Sequence, residues 1–213
     1  ENGAVYIYPD ISNVTVRHNI IYDNNLSLTK ANPAGIKNRS DNTSTIHINF
    51  NSIYGNTPYG IYNDAAGTID AEYNWWGADD GPQSPDSYDN YDAITGRIAD
   101  GFGDEVRGLV HFDPWAGVES NATITEVYFP ENDPHWFLEF DARDSFGYSL
   151  DGTPLGLEYW WDFGYKNTHS IFIHFIKRYE EPGTYDVSLK VSAIDQDLDP
   201  TSKLTDTSYY TVT

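Results

Sequence analysis

Apolar and polar residues alternate over short runs from near the start of the chain. Val14 and Val16 alternate with Thr15 and Arg17, and the run closes on Asn19. Ile46 and Ile48 alternate with His47 and Asn49 and close on Asn51; Ile69, Ala71 and Tyr73 do the same before Asn74. A period of two marks β-strands with one buried face. Each run is followed by a restart: Ile20-Ile21-Tyr22-Asp23-Asn24, then Ser52-Ile53-Tyr54-Gly55-Asn56, then Trp75-Trp76-Gly77. Between them a second element recurs, Gly35-Ile36-Lys37-Asn38 and Gly60-Ile61-Tyr62-Asn63. Asn19 lies 32 residues before Asn51, Asn51 lies 23 before Asn74, and Gly35 lies 25 before Gly60. A period in the twenties built from short strands predicts a solenoid of parallel strands, with like residues stacked above like. An antiparallel sandwich with Asn-rich hairpins is the competing arrangement.

Alternation resumes in the second half with different residues. Trp136–Phe140, Leu157–Trp161, Ile171–Phe175, Tyr185–Val191 and Ser208–Val212 each read as a strand bounded by turn residues. Five or more short strands in about 90 residues predict a β-sandwich. The repeats end near Phe112-Asp113-Pro114-Trp115, and residues 116–122 read as a linker. The expected organisation is a repeat unit over 1–117 and a sandwich over 122–213.

Composition sharpens this division. The first 77 residues hold 13 Asn and the remaining 136 hold 4. Asn tolerates the left-handed backbone that tight corners need, and its amide stacks on a like neighbour. The formal charge is −21, from 12 Lys plus Arg against 33 Asp plus Glu. Such a chain lacks the basic footprint of a nucleic-acid binder and is repelled by anionic membrane surfaces. No apolar run nears the roughly 20 residues that span a bilayer, so membrane insertion is not expected. With no Cys, disulfides, thiolate metal sites and cysteine nucleophiles drop out. The absence of Met, and a Gly3-Ala4-Val5-Tyr6-Ile7 start that matches Gly35 and Gly60, predict an excised piece beginning inside a rung.

The repeat unit resembles the right-handed parallel β-helix repeats of archaeal and bacterial surface proteins. Its closing stretch, Asn74-Trp75-Trp76-Gly77, Asp80-Gly81-Pro82 and Gly103 through Trp115, is similar to the terminal coil and cap of that family. Trp75, Trp76 and Trp115 suit a cover for the last rung, which otherwise leaves apolar core and strand edges open. Residues 78–100 then form an acidic surface loop. The second unit resembles a polycystic-kidney-disease (PKD) repeat, an immunoglobulin-like module, on Phe140-Asp141-Ala142, Asp151-Gly152, Tyr159 through Gly164, and Tyr179 through Val187. Where that family continues Phe-Gly with Asp-Gly, this chain has Tyr165-Lys166. The fold class expected is therefore all-β: the C-terminal coils of a right-handed parallel β-helix plus an Ig-like PKD β-sandwich.

Candidate chemistry is sparse. Glycoside hydrolysis needs two carboxyls held on rigid elements; Asp79, Asp80, Asp86, Asp89 and Asp92 fall instead in the acidic loop, and no catalytic residue is assigned. The six His, at 18, 47, 111, 135, 169 and 174, share no metal-ligand spacing. No cofactor is expected beyond calcium, whose taste for hard oxygen ligands makes Asp141, Asp144 and Asp151 its candidate site. Five Asn-x-Ser/Thr sequons place candidate glycosylation at Asn13, Asn25, Asn38, Asn42 and Asn121; Asn38 and Asn42, in a polar loop, and Asn121, in the linker, are expected to be the best exposed. By resemblance the function is that of an extracellular structural protein of the cell surface, in an envelope layer, sheath, fibre or adhesive stalk. Its partners would be copies of itself, other envelope proteins or polysaccharide. The competing functions are a fragment of a polysaccharide lyase or hydrolase, and a glycan-binding module.

Overall fold

The computed structural model describes residues 3–24, 33–83, 91–127, 136–181, 183–195 and 203–213. The protein is all-β, with one 3₁₀ turn at Thr43–Thr45 among the described residues. Among the described residues no helix is long and apolar enough to cross a membrane.

The first half winds through three parallel ladders. Its first pass contributes β1 (Gly3–Ile7), β2 (Val14–Arg17) and β3 (Ile20–Tyr22); its second contributes β4 (Ala34–Asn38), β5 (Ile46–Asn49) and β6 (Ser52–Tyr54). The third gives β7 (Tyr59–Asn63) and β8 (Ile69–Asp70), and a partial fourth gives β9 (Val106–Arg107) and β10 (Val110–His111). One sheet runs β1-β4-β7-β9, a second β2-β5-β8-β10 and a third β3-β6, the last continued by a bridge from Ser52 to Trp75. Register aligns like with like: Val5, Ile36, Ile61 and Val106 form one column, and Ile21 stands beside Ile53. These aliphatic columns fill the interior, which Trp76, Phe112 and Trp115 close at the far end.

The Asn repeat has a physical cause at the corners. Asn19 donates its amide to the Asn51 carbonyl oxygen at 3.2 Å, and Asn51 donates to Asn74 at 3.0 Å. Asn38 donates to Asn63 at 2.9 Å, Asn24 to Asn56 at 2.8 Å, and Asn56 to the Asp104 carboxylate at 2.6 Å. The residues before one ladder, His18, Phe50 and Tyr73, hold left-handed φ of 56°, 58° and 56°. Their rings consequently stack, at 5.9 and 5.4 Å between centroids. The Gly of each Gly-Ile element is dictated by close approach: a Cβ on Gly60 would lie 2.7 Å from Asp104 Cβ, and one on Gly35 2.9 Å from the Gly60 carbonyl.

The second half is antiparallel. It comprises β11 (Gly117–Glu119), β12 (Thr123–Glu126), β13 (Trp136–Asp141), β14 (Phe146–Tyr148), β15 (Glu158–Asp162), β16 (His169–Ser170), β17 (His174–Tyr179), β18 (Tyr185–Ala193) and β19 (Leu204–Val212). One sheet runs β12-β13-β17 and another β16-β15-β18-β19. Phe140, Trp161, Phe163, Val187 and Leu189 are buried in a core that both sheets line.

Three expectations change. The strand expected at Ile171–Phe175 is β17, displaced to 174–179; Ile171, Phe172 and Ile173 are exposed, and the Phe172 carbonyl accepts from the Trp161 indole at 3.0 Å. Residues 116–122 are not a free tether. β11 pairs with β14, and Ala116, Val118 and Ser120 are buried. The loop of residues 78–100 is in part interior: Asp92 is 2% exposed and accepts from the amides of Ile94, Thr95, Phe112 and Asp113. The His111 ring lies 3.0 Å from the same carboxylate. Burial acts to raise its carboxyl, yet the Thr95, Ile94 and Asp113 amides and the His111 ring together hold it below the usual range.

Candidate functional site

β11 carries the chain from the end of the stack onto the sandwich, and in doing so sets Glu119 and Ser120 against β19. Asp206 Oδ2 accepts from the Ser120 amide at 2.7 Å and from its hydroxyl at 2.9 Å; Ser208 donates to the Ser120 carbonyl at 2.6 Å. Asp79, from the stack, accepts from the Thr205 amide at 2.9 Å. The neighbouring arm is fixed by Asp80, which accepts from the Phe102 amide at 2.9 Å, and by Gly101, whose missing Cβ would lie 2.4 Å from two carbonyl oxygens.

Between these arms lies a cleft of about 470 Å³ whose lining includes Asp80, Asp100, Phe102, Glu119, Asp206 and Tyr209. A second concavity of about 370 Å³ continues past Tyr209 and Tyr210, which line both, toward Asp162, Asp186 and Thr211. Two rings stand in solvent here: Phe102 is 85% and Tyr209 81% exposed. Beneath the cleft Arg97 bonds Glu119, lies 3.1 Å from Asp113, and stacks over Phe146 and Trp115, 5.0 and 5.7 Å from their centroids. Burial pushes the Glu119 carboxyl up to about 8; Arg97 opposes this, and Asp206 and Asp100 add to it. Burial also raises Asp80, with Asp206 and Asp79 pushing the same way against the Phe102 amide. Its carboxylates make the site rich in hydrogen-bond acceptors.

Sequence candidates are placed as follows. Asp141 pairs with Arg143, Nε to Oδ1 at 2.8 Å, while Asp151 accepts from Ser149 and from the Thr153 amide at 2.9 Å. Asp144 is exposed. Among the described residues no three His, Cys, Asp or Glu gather as a metal group, these three included. Asn13 and Asn42 are exposed and Asn121 half-buried. Asn38, expected in a polar loop, is buried, its amide nitrogen spent on Asn63 and the Ser40 carbonyl, which leaves no path for a glycan in the folded chain. Asn25, Asp86, Asp89 and His135 lie outside the described residues.

Of the cleft's carboxylates, sequence reasoning singled out Asp80 alone. Glu119 and Asp206 come from segments 87 positions apart, with no shared motif. One signal was available: adjacent Tyr209 and Tyr210 on an alternating strand cannot both face the core.

No protein-family model and no curated protein matches this chain.

Proposed function

We propose that this chain serves as part of an extracellular structural protein of a cell surface, built from the last coils of a right-handed parallel β-helix followed by a PKD-like sandwich. In this reading it assembles with copies of itself or with other envelope proteins in a layer, sheath, fibre or stalk. The observation that carries it is the first pass of the stack. Tyr8, Ile11, Ile20 and Tyr22 of that pass are exposed, and Tyr22 stacks on the exposed Tyr54 of the next pass, 5.5 Å between centroids. Apolar side chains gathered on one exposed surface favour association. The amide ladders support the same reading, because the polar side chains that a catalytic groove would present are spent between rungs.

Analytical ultracentrifugation across a concentration series tests it. The expected result is concentration-dependent association that weakens in Ile20→Lys, an exposed position where the substitution leaves the fold intact. A strict monomer at high concentration and high salt, or association unchanged in Ile20→Lys, would sink the proposal.

A further inference from the structure

We infer that the trough along β19 at the junction of the two halves is a glycan-binding groove, taking an oligosaccharide of neutral or amino sugars. The argument starts from what lines it. Asp80, Asp100 and Asp206 line one end, and Asp162 and Asp186 the other, with Ser208, Tyr209 and Tyr210 along its course. Carboxylates offer acceptors, so a ligand that fits must bring donors; hydroxyl groups and amines do, whereas phosphates and the carboxylates of uronates add further negative acceptors. Arg97, the cation nearest Glu119, is already committed to Glu119 and Asp113. Polyanions are therefore repelled as well as unmatched.

The rings choose between donors. Phe102 and Tyr209 are the most exposed large apolar side chains in the described chain, and both belong to this groove. A pyranose has an apolar C–H face beside its hydroxyls, so it can lie on a ring while its rim donates to carboxylates; a simple ammonium or a water-bound cation uses only the second feature. Tyr209 lines both concavities, so its ring borders two adjacent ligand positions. Each concavity, about 470 and 370 Å³, lies in the size range of small-ligand sites. Asp206 is also oriented in advance: its Oδ2 is fixed by the Ser120 amide and hydroxyl, which reduces the ordering cost of binding. This inference is independent of self-assembly, since the groove lies on β19 and β11 rather than on β1 to β3.

Isothermal titration of the whole chain with hexamers of glucose, N-acetylglucosamine and glucosamine, and with oligogalacturonate, tests it. At least one of the first three should bind, and oligogalacturonate should not. Tyr209→Ala and Phe102→Ala should each weaken binding about tenfold, the loss of one stacking platform. Tyr209→Phe, which keeps the ring, should restore most of it, and Tyr22→Ala, on the far stack, should change nothing. Both platforms are exposed, so the variants keep the wild-type circular dichroism spectrum. Silence from the three uncharged or amino hexamers, equal binding of oligogalacturonate, or affinity undiminished in both alanine variants would overturn the inference. Selective capture of a lysine-rich peptide in place of any sugar would overturn it too.

Discussion

The two halves of this molecule place their polar side chains in opposite ways. In the stack, Asn38, Asn51, Asn56, Asn63 and Asn74 are buried, each bonded to the amide or carboxylate of a neighbouring rung. In residues 122–213 the buried polar side chain among those described is Asp195, and the interior is aromatic: Phe140 meets Trp161, Phe163 and Phe175 at 5.2 to 5.3 Å. The cause is topology. Parallel passes put the same position above itself, so a residue that bonds its own kind satisfies every corner at once. Antiparallel strands bring unlike residues together, so no such repeat can serve, and burial of large rings does the holding instead. Removing a polar side chain should therefore cost most in the stack, less at the junction and least in the sandwich turns.

The largest effect falls on Asn51. Its amide donates to the Val16 and Asn49 carbonyls and to Asn74, while its carbonyl oxygen accepts from Asn19. Asn51→Ala leaves several buried partners unmatched and should cost about 3 kcal/mol, lowering Tm by about 9 °C. Asn19→Ala, at the exposed end of the same ladder, should cost under about 1 kcal/mol. Equal losses in thermal melts of the two variants would show that ladder position does not matter and break the comparison.

That asymmetry also governs what was legible in the sequence. The stack could be read because its physics repeats: the closing Asn of Ile46–Asn51 and of Ile69–Asn74 recurs for the reason that Asn51 and Asn74 bond. The sandwich strands were legible from alternation, except where exposed Ile171-Phe172-Ile173 imitated a buried run. Asp92 was not legible at all. Its neighbours read as solvated loop, and only the return of Phe112 and Asp113, 20 and 21 positions later, supplies the amides that justify a buried carboxylate. The junction cleft was hidden for the same reason, since Asp80, Glu119 and Asp206 share no local pattern and meet only when β11 lies beside β19.

The middle effect belongs to that junction. With its carboxyl raised from 4.5 to about 8, Glu119 keeps in the folded chain a proton that the unfolded chain releases. Stability therefore falls as pH rises from about 4.5 toward 8 and levels off above it. Asp80 and Asp104, also raised by burial, act in the same direction. Between pH 5 and pH 8 the wild type should lose about 5 °C in Tm, and Glu119→Gln, which cannot titrate, should lose clearly less. A variant whose pH profile overlays that of the wild type would remove Glu119 as the source.

The smallest effect is expected in the sandwich turn at Asp141. Hydrogen bonds from the Arg143 side chain, two positions away, pull its carboxyl down to about 2. A lowered carboxyl adds stability above its ordinary 3.8 that is lost as pH falls through about 2. Arg143 is exposed and Asp141 half-buried, and a local pair of this kind at the surface adds little to stability. Asp141→Asn should therefore shift Tm by no more than about 2 °C at neutral pH. The same variant decides the calcium question raised by Asp141, Asp144 and Asp151. Because Arg143 already occupies the Asp141 carboxylate, calcium should raise Tm no further than sodium of equal ionic strength, which acts only by screening the net charge of −21. A calcium-specific rise that disappears in Asp141→Asn would mean that the cation displaces Arg143 and draws the three carboxylates together. The sandwich would then hold a buried polar cluster of its own, and the contrast with the stack would fail.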